Sequence, residues 1–578
     1  MDSTATRLSV MQRWALMLSC AAVALVVASM AALYTALPEI AAATGATQQQ
    51  LTWIVDGYTL ALACLVLPGG ALGDRYGRRR MLLIGLGVFA LFSAVPLLFD
   101  GPIWLIAARS AAGVGAALVM PSTLSLLTAG LPEGRRGVAV GMWAGSVGMG
   151  AVGGILVSGL LLQFWTWLSI MAAMSACSAL LAATGCVIPE SIASARPGFD
   201  PWGTVASAIG VGMIVAAATE TPQLGWSHPL VIGAVIGGIV SLGIFALIEL
   251  RVAHPLLDLR LFADRRFGTG TASVAIQFLV SFGMFMLVVQ FLQLILGYRP
   301  LISALAMAPM MIPFVTISPI SPWLAQRFGL RLQTLCGLAL LGVGLLAVAR
   351  LSVESTYSDV VWPLLIVSVG ISLSAAPATA AIMAGVPADQ HGIAAAVNDV
   401  SREVGAAIGI ALAGSILAAG YSHRIATILP MLPQQLRGPV SDSLVGALAV
   451  AEHLGPQAQP LADAAKAAFV HGVRQAAAIL GALTLVAALA IGALAPGRRR
   501  TLPAAAPTAG GRARLTKPES VDAISATGVP VARGAGWRCM KASRWHEYRA
   551  PLFPRTRERE DESGSPRAGV RRCRRRGG

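Results

Sequence analysis

From residue 14 to residue 496 the chain repeats one pattern, a run of Leu, Ala, Val, Ile and Gly followed by a short polar break. The runs lie near 14–38, 51–72, 81–99, 103–129, 137–162, 166–188, 203–220, 229–250, 270–296, 302–323, 331–349, 359–385, 393–419 and 473–496. At a rise of ~1.5 Å per residue, runs of ~20 residues match the hydrocarbon thickness of a bilayer. Lipid offers no partners to exposed backbone N–H and C=O groups, so these runs predict helices and not strands. The expected fold class is an all-α polytopic membrane protein with about 14 transmembrane helices. A soluble enzyme with this pattern would have to hide more apolar surface than its polar breaks can cover.

The breaks alternate in charge. One set holds Arg75, Arg78, Arg79 and Arg80, then Arg135 and Arg136, Arg196, Arg251, Arg260, Arg265 and Arg266, and finally Arg327 and Arg331. The other short loops hold only Arg299 and Arg350. The positive-inside rule puts the first set in the cytoplasm together with both termini of a multi-pass chain, expected in a cell inner or plasma membrane if the chain is an exporter. Residues 1–13 then form a cytoplasmic N-terminus, and the run that follows lacks a small-residue cleavage site, so it reads as a first span. The long outer segment 420–472 carries "LPMLPQQLRGPVSDS" and predicts a small extracytoplasmic cap.

Composition sharpens this picture. Of the 578 residues 56% are apolar and only 12% charged, with a mean hydropathy of +0.71. The formal net charge of +16 is concentrated after residue 496, where 20 Lys and Arg face 7 Asp and Glu. That tail, 497–578, is rich in Pro, Gly, Ser and Arg without apolar periodicity, and reads as a basic disordered cytoplasmic segment. It is either simply solvated or in touch with anionic lipid heads; no nucleic-acid partner is implied. The seven cysteines show neither metal-ligand spacing nor a disulfide framework.

The break after the second run reads "GGALGDRYGRRRMLLIG". Gly70, Leu72, Asp74, Arg75, Gly77, Arg78 and Arg79 fit G-x-L-x-D-R-x-G-R-R, in which an acid at a helix end can pair with basic groups or with a facing helix N-terminus. This motif resembles the loop signature of the major facilitator superfamily. "LIAARSAAGVGAALVMPSTLSLL", "HPLLDLRLFADRRFGTGT", "LQLILGYRPLISALAMAPM", "LTWIVDGYTLALA" and "AAAVNDVSREVGAAIG" resemble its fourteen-span drug:proton antiporter branch, of QacA/EmrB type. The resemblance implies two six-helix bundles, 14–188 and 270–496, with two extra spans at 203–250, rocking about a central site. It also implies that Gly70, Asp74, Arg75, Gly77, Arg78 and Arg79 form a cytoplasmic gate.

Ionisable residues inside spans are costly and mark function by default. Asp56 lies in the second run, Arg109 in the fourth, and Asp399, Arg402 and Glu403 in the thirteenth. Asn398 and Arg402 are i, i+4, Asp399 and Arg402 i, i+3, and Asp399 and Glu403 i, i+4, so all four share a helix face. Two carboxylates one turn apart resist joint ionisation; Arg402 can neutralise one and leave the other to exchange a proton. The competing reading is a permanently paired structural cluster, or a face wetted by headgroup water. Asp56 is either a coupling carboxylate or a counter-charge for a cationic substrate. For Arg109 the resemblance implies proton transfer or a carboxylate partner, against a structural Arg bonded to carbonyls. Aromatic and thioether groups near the expected cavity are Tyr34, Trp53, Tyr58, Phe282, Met284, Phe285 and Met286, with Gln277, Gln290 and Gln293 as polar candidates, each either a cavity contact or, more commonly for such a residue, simple packing.

Two features depart from the branch. Aligned on "ALPEI", position 29 is Ser where cation exporters of this kind carry Asp. The fifth run has Gly153 and Gly154 without the Gly-Pro pair of antiporters. The leading expectation is a proton-coupled exporter of amphipathic small molecules, with no cofactor, driven by the proton gradient, and monomeric in the bilayer. The second is a non-transporting sensor or scaffold acting through its basic tail. No nucleophile–base set points to an enzyme, and no G-x-x-x-x-G-K-[ST] loop points to a nucleotide-driven pump.

Overall fold

The computed structural model describes residues 8–192, 200–252 and 255–496. The tail from residue 497, the first seven residues and Arg196 lie outside the described residues. Six helices come first: α1 (Val10–Thr44), α2 (Gln48–Tyr76), α3 (Arg78–Ala94), α4 (Pro102–Gly130), α5 (Glu133–Phe164) and α6 (Leu168–Gly185). Two further helices, α7 (Pro201–Leu224) and α8 (Pro229–Glu249), follow. The rest comprises α9 (Arg265–Leu294), α10 (Pro300–Met307), α11 (Met311–Thr316), α12 (Ser321–Phe328), α13 (Leu330–Val348), α14 (Tyr357–Ala384), α15 (His391–Ile425), α16 (Gln434–Asp442), α17 (Leu444–Leu454) and α18 (Gln459–Leu494). Among the described residues thirteen helices are long and apolar enough to cross a membrane, and counting the bent pair α10–α11 and α12 as one span makes fourteen. The pair is bent by 53° before Ser321; the apolar run at 302–323 gave no sign of that bend.

Local sequence starts these helices. Ser9 with Gln12 and Thr47 with Gln50 form capping boxes, and Asp200 and Asp264 accept backbone N–H groups at the starts of α7 and α9. The helices outrun the apolar runs: α15 continues to Ile425, and α18 begins at Gln459. Between them α16 and α17 pack on one another, and the Tyr421 hydroxyl donates to the Val440 carbonyl.

Packing within the first bundle pairs α1 with α5 and α2 with α4; in the second, α9 pairs with α15 and α13 with α14 and α18. Gly150 and Gly154 let α5 meet the α1 backbone at Ala24 and Ala28, while Gly153 points into open space. An unbroken α5 therefore packs closely without a proline kink. The bundles join where α2 meets α15 and α5 meets α10 to α12 and α14, and α7 wedges against α2 and α15. Phe267, Val274, Ala378, Ile382 and Ile393–Val397 of the second bundle belong to the same buried cluster as the first bundle's core. These residues lie at the arginine-rich ends of the helices, here termed the basic face, so the two bundles share one core there.

Candidate transport site

At the basic face, Gly77 alone separates α2 from α3, with φ at +113°. Side-chain-bearing residues rarely adopt that backbone. The tight turn folds Arg78 back onto α2, where its Nε and Nη2 donate to Asp74 Oδ1 at 3.0 and 2.7 Å. The same carboxylate accepts from the backbone N–H of Gly392 at 3.0 Å and of Ile393 at 3.1 Å. Asp74 thus sits, fully buried, on the positive end of α15. One turn back, Gly70 and Gly392 touch so closely that a Cβ on either would overlap the other's carbonyl oxygen. Arg75 lies over the Tyr76 ring, and Arg79 donates to the carbonyls of Cys186 and Ile188. Sequence reasoning missed Glu190, whose carboxylate accepts from the Arg79 and Arg80 N–H groups at 2.9 and 3.1 Å and so caps α3. Its only signal was an acid just after the sixth apolar run.

Deeper in the first bundle, Arg109 on α4 is buried against α1 and α2. Its Nη1 donates to Ser29 Oγ at 2.7 Å and its Nη2 to the Ser29 carbonyl at 3.2 Å. The guanidinium stacks 4.3 Å from the centre of the Tyr58 ring. No carboxylate lies within ion-pair distance of Arg109 among the described residues. Ser29 keeps the hydrogen bond that an Asp there would make, but not its charge. Of the two readings open for Tyr58, cavity contact and packing, the geometry matches packing: it is fully buried and its hydroxyl donates to the Val26 carbonyl at 3.0 Å.

In the second bundle α15 carries Asn398, Asp399, Arg402 and Glu403, all under a tenth exposed. Asp399 lies about 12 Å along the axis from the start of the helix and is fully buried among its neighbours. Arg402 Nη1 donates to Asp399 Oδ1 at 3.4 Å, and the Asn398 amide donates to the same oxygen at 3.3 Å. The second carboxylate oxygen of Asp399 and Nε of Arg402 are buried without a partner. Glu403 lies within electrostatic reach of Arg402, of Asp399 and of Tyr58 across the bundle boundary. The Arg402 guanidinium is held between Phe278 of α9, at 4.6 Å, and Trp143 of α5, at 5.5 Å. Trp143, which sequence reasoning also missed, donates through Nε1 to Thr123 Oγ1 of α4 at 3.0 Å. Phe282 and Phe285 extend the aromatic row that begins at Phe278, with ring centres 5.9 and 6.0 Å apart.

Asp56 is not part of this cluster. It faces α7 across a cavity of about 50 Å³ lined also by Trp53, Thr219 and Glu220. Glu220, near the end of the seventh apolar run, had not been singled out. Tyr34 is 56% exposed and within electrostatic reach of Asp56 and Arg109. Gln290 and Met286 are half-buried, whereas Met284 belongs to the second bundle's own core and Gln277 bonds Ser273 one turn back on α9. Among the described residues no group of three or more His, Cys, Asp or Glu is arranged to hold a metal ion.

Residues 19–410 match the family model described as Major Facilitator Superfamily. Multidrug resistance protein Stp of Mycobacterium tuberculosis (strain CDC 1551 / Oshkosh) is 34% identical over 407 residues, 70% of this chain and 75% of Stp. Multidrug efflux pump LfrA of Mycolicibacterium smegmatis is 33% identical, covering 79% of this chain and 91% of LfrA. Methyl viologen resistance protein SmvA of Salmonella typhimurium is 31% identical, covering 81% and 95%. Among solved structures, the human organic anion transporter MFSD10 superposes with a TM-score of 0.54 at 14% identity, over 83% of this chain and 99% of that one. The proton:xylose symporter XylE gives 0.53 at 13% identity, over 84% and 96%. At such identities the likeness is one of fold.

Proposed function

The chain belongs to the major facilitator superfamily, and from that premise we propose that it is a proton-coupled antiporter exporting amphipathic drugs or metabolites by alternating access. The resistance and efflux functions named for Stp, LfrA and SmvA support the direction of transport. The basic face is cytoplasmic in this reading, with both ends of the membrane domain on that side of the cell membrane.

One observation carries the coupling assignment: gate and carboxylates share a helix. Asp74 holds the first turn of α15 at Gly392 and Ile393, and Asp399 follows about 10 Å further along the same rigid element. With Asp399 ionised, Arg402 is drawn to it and stays wedged between Phe278 and Trp143. A proton on Asp399 or Glu403 weakens that attraction and frees Arg402 to leave Trp143 of the other bundle. The α15 helix can then tilt, and its first turn comes off Asp74. Outer-side protonation and inner-side release give antiport, with energy from the proton gradient.

The test is accumulation of ethidium, a fluorescent amphipathic probe, in inverted vesicles. Accumulation requires an inward-acid gradient and collapses with an uncoupler. Asp399→Asn and Glu403→Gln each reduce gradient-driven accumulation at least tenfold while the protein still inserts. Undiminished accumulation in both variants overturns the coupling assignment.

A further inference from the structure

At the foot of the α7–α8 hairpin, on the basic face, two carboxyl groups meet that the coupling cluster does not use. Asp200 caps the start of α7, where its Oδ1 accepts the backbone N–H groups of Trp202 and Gly203, both at 3.0 Å. Glu249 closes α8, and its Oε2 accepts the Leu257 N–H at 3.1 Å. The two residues are 4% and 5% exposed. Their other oxygens, Asp200 Oδ2 and Glu249 Oε1, are buried without a hydrogen-bond partner. A Cβ on Gly203 would stand 2.5 Å from the first and 2.6 Å from the second, so both oxygens face one spot above a residue with no side chain. Among the described residues no Lys, Arg or His comes within ion-pair distance of either acid. The charged groups within electrostatic reach of Glu249 are Asp200 and Asp258, both acids.

A buried carboxylate oxygen without a donor is costly, and two negative charges facing each other out of water are costlier. We propose that Asp200 and Glu249 hold one proton between Oδ2 and Oε1, a carboxyl–carboxylate pair that clasps the foot of the hairpin. A single proton gives both free oxygens a hydrogen bond and removes one of the two like charges. A metal ion suits the spot less well. Mg²⁺ and Ca²⁺ call for about six to eight oxygens, and no third His, Cys, Asp or Glu completes a set among the described residues.

The position of the clasp gives it leverage. The connector after Glu249 leads to α9, and its Leu256 and Leu257 lie in the buried cluster that the two bundles share. The α7 helix packs on α2 of the first bundle and on α15 of the second. With the proton in place, Glu249 stays against Asp200 and keeps its hold on the Leu257 N–H. Without it, two like charges repel, the foot of the hairpin opens toward water and the connector is released. Acids of the unfolded chain ionise at about pH 4, so near neutrality only the folded chain keeps this proton. The clasp therefore stabilises most at low pH and weakens as pH rises. It is independent of Asp399 and Glu403 and of any gradient.

The experiment is infrared difference spectroscopy of the full chain in phosphatidylcholine nanodiscs, taken between about pH 6 and about pH 9 without any gradient. The C=O stretch of one carboxylic acid should disappear on alkalinisation. Asp399 and Glu403 can add bands of their own, so the readout is the difference between parent and variant. Glu249→Gln and Asp200→Asn are nearly isosteric, and each amide can donate to the oxygen that faces it. Each variant should therefore remove the same band in full, because the acid left behind takes its bond from the amide and ionises. Thermal unfolding of both variants should match the parent at low pH and fall less than the parent as pH rises. A band unchanged in both variants, or a different band lost in each, overturns the shared proton. An unfolding temperature raised by Mg²⁺, Ca²⁺ or Na⁺ in the parent and not in Glu249→Gln also overturns it, and assigns the spot to a cation.

Discussion

Besides Arg78 at the basic-face turn, the described residues include two buried arginines deeper in the helices, Arg109 in the first bundle and Arg402 in the second, and these two are treated differently. Both Arg109 and Arg402 are nearly inaccessible and both stack on aromatic rings. Arg109 finds its partners in its own bundle, the hydroxyl and carbonyl of Ser29 and the face of Tyr58, with its Nε left buried without a hydrogen bond. Arg402 sits beside two carboxylates that can each change charge, and it reaches Trp143 in the other bundle. A cation with fixed neutral partners is a brace. A cation with titratable partners and a contact across the moving boundary is a switch. The difference teaches that burial and aromatic stacking alone do not identify the coupling residue; the partners do.

The largest effect that can break this comparison comes from truncating the two arginines. Arg402→Ala leaves Asp399 and Glu403 buried together without a counter-charge, a loss of about 3–5 kcal/mol for a broken buried pair. Arg109→Ala leaves only a hydroxyl and a carbonyl unpaired, at about 1–3 kcal/mol. Thermal unfolding in detergent should therefore fall further for Arg402→Ala. Adding Asp399→Asn should restore part of the loss for Arg402→Ala and none for Arg109→Ala. Equal falls and no rescue in either background would sink the division into brace and switch.

Much of this was legible in the chain and some was not, for identifiable reasons. Apolar run length reports the candidate spans because lipid leaves the backbone no alternative to helix, so thirteen of the fourteen runs appear as single long helices while the bend before Ser321 in the other is silent. The acid of the G-x-L-x-D-R-x-G-R-R loop could be read as a partner for a helix N-terminus, because Asp74 stands at a helix end next to glycines. The side on which an aromatic points is different: in a helix apolar all round, periodicity does not separate core from cavity, so the sequence left Tyr58 open between the two. Contacts between bundles are the least legible. Trp143 and Arg402 lie 259 positions apart, and no local pattern in "GMWAGSVG" announces a cation across the boundary. Glu190, Glu220 and His391 sit at the edges of apolar runs, where an isolated polar residue looks like ordinary loop chemistry.

A smaller effect sharpens the brace. Ser29→Asp gives Arg109 the carboxylate it lacks, within reach of Nη1, which now bonds Ser29 Oγ at 2.7 Å. A buried pair often only breaks even against its desolvation, so stability should change by less than about 1 kcal/mol. Selectivity is where the change should register, because the interior gains a negative charge next to exposed Tyr34. Susceptibility of an expressing strain to a panel of cationic and anionic amphipaths should shift toward cation export. A selectivity profile identical to that of the parent would mean that the charge of this pair does not reach the substrate.

The smallest effect separates the two stacks themselves. Trp143→Phe keeps a ring near Arg402 but weakens the cation–π contact by about 0.5–1 kcal/mol and removes the hydrogen bond to Thr123. Tyr58→Phe is its match in the first bundle, keeping the ring under Arg109 and losing the hydroxyl's bonds to the Val26 carbonyl and to Ser29. Because the Trp143 ring, unlike that of Tyr58, stacks on a cation of the other bundle, its variant should alter the balance between conformations the more. With spin labels at Arg135 and Arg331 on the two bundles, the distance distribution at the basic face should gain a longer component in Trp143→Phe, larger by about two- to fivefold in population, as RT converts such energies. Tyr58→Phe should leave the distribution as it is while lowering the unfolding temperature slightly. If both variants move it equally, Arg109 responds to the same motion as Arg402, and the first bundle carries part of the switch.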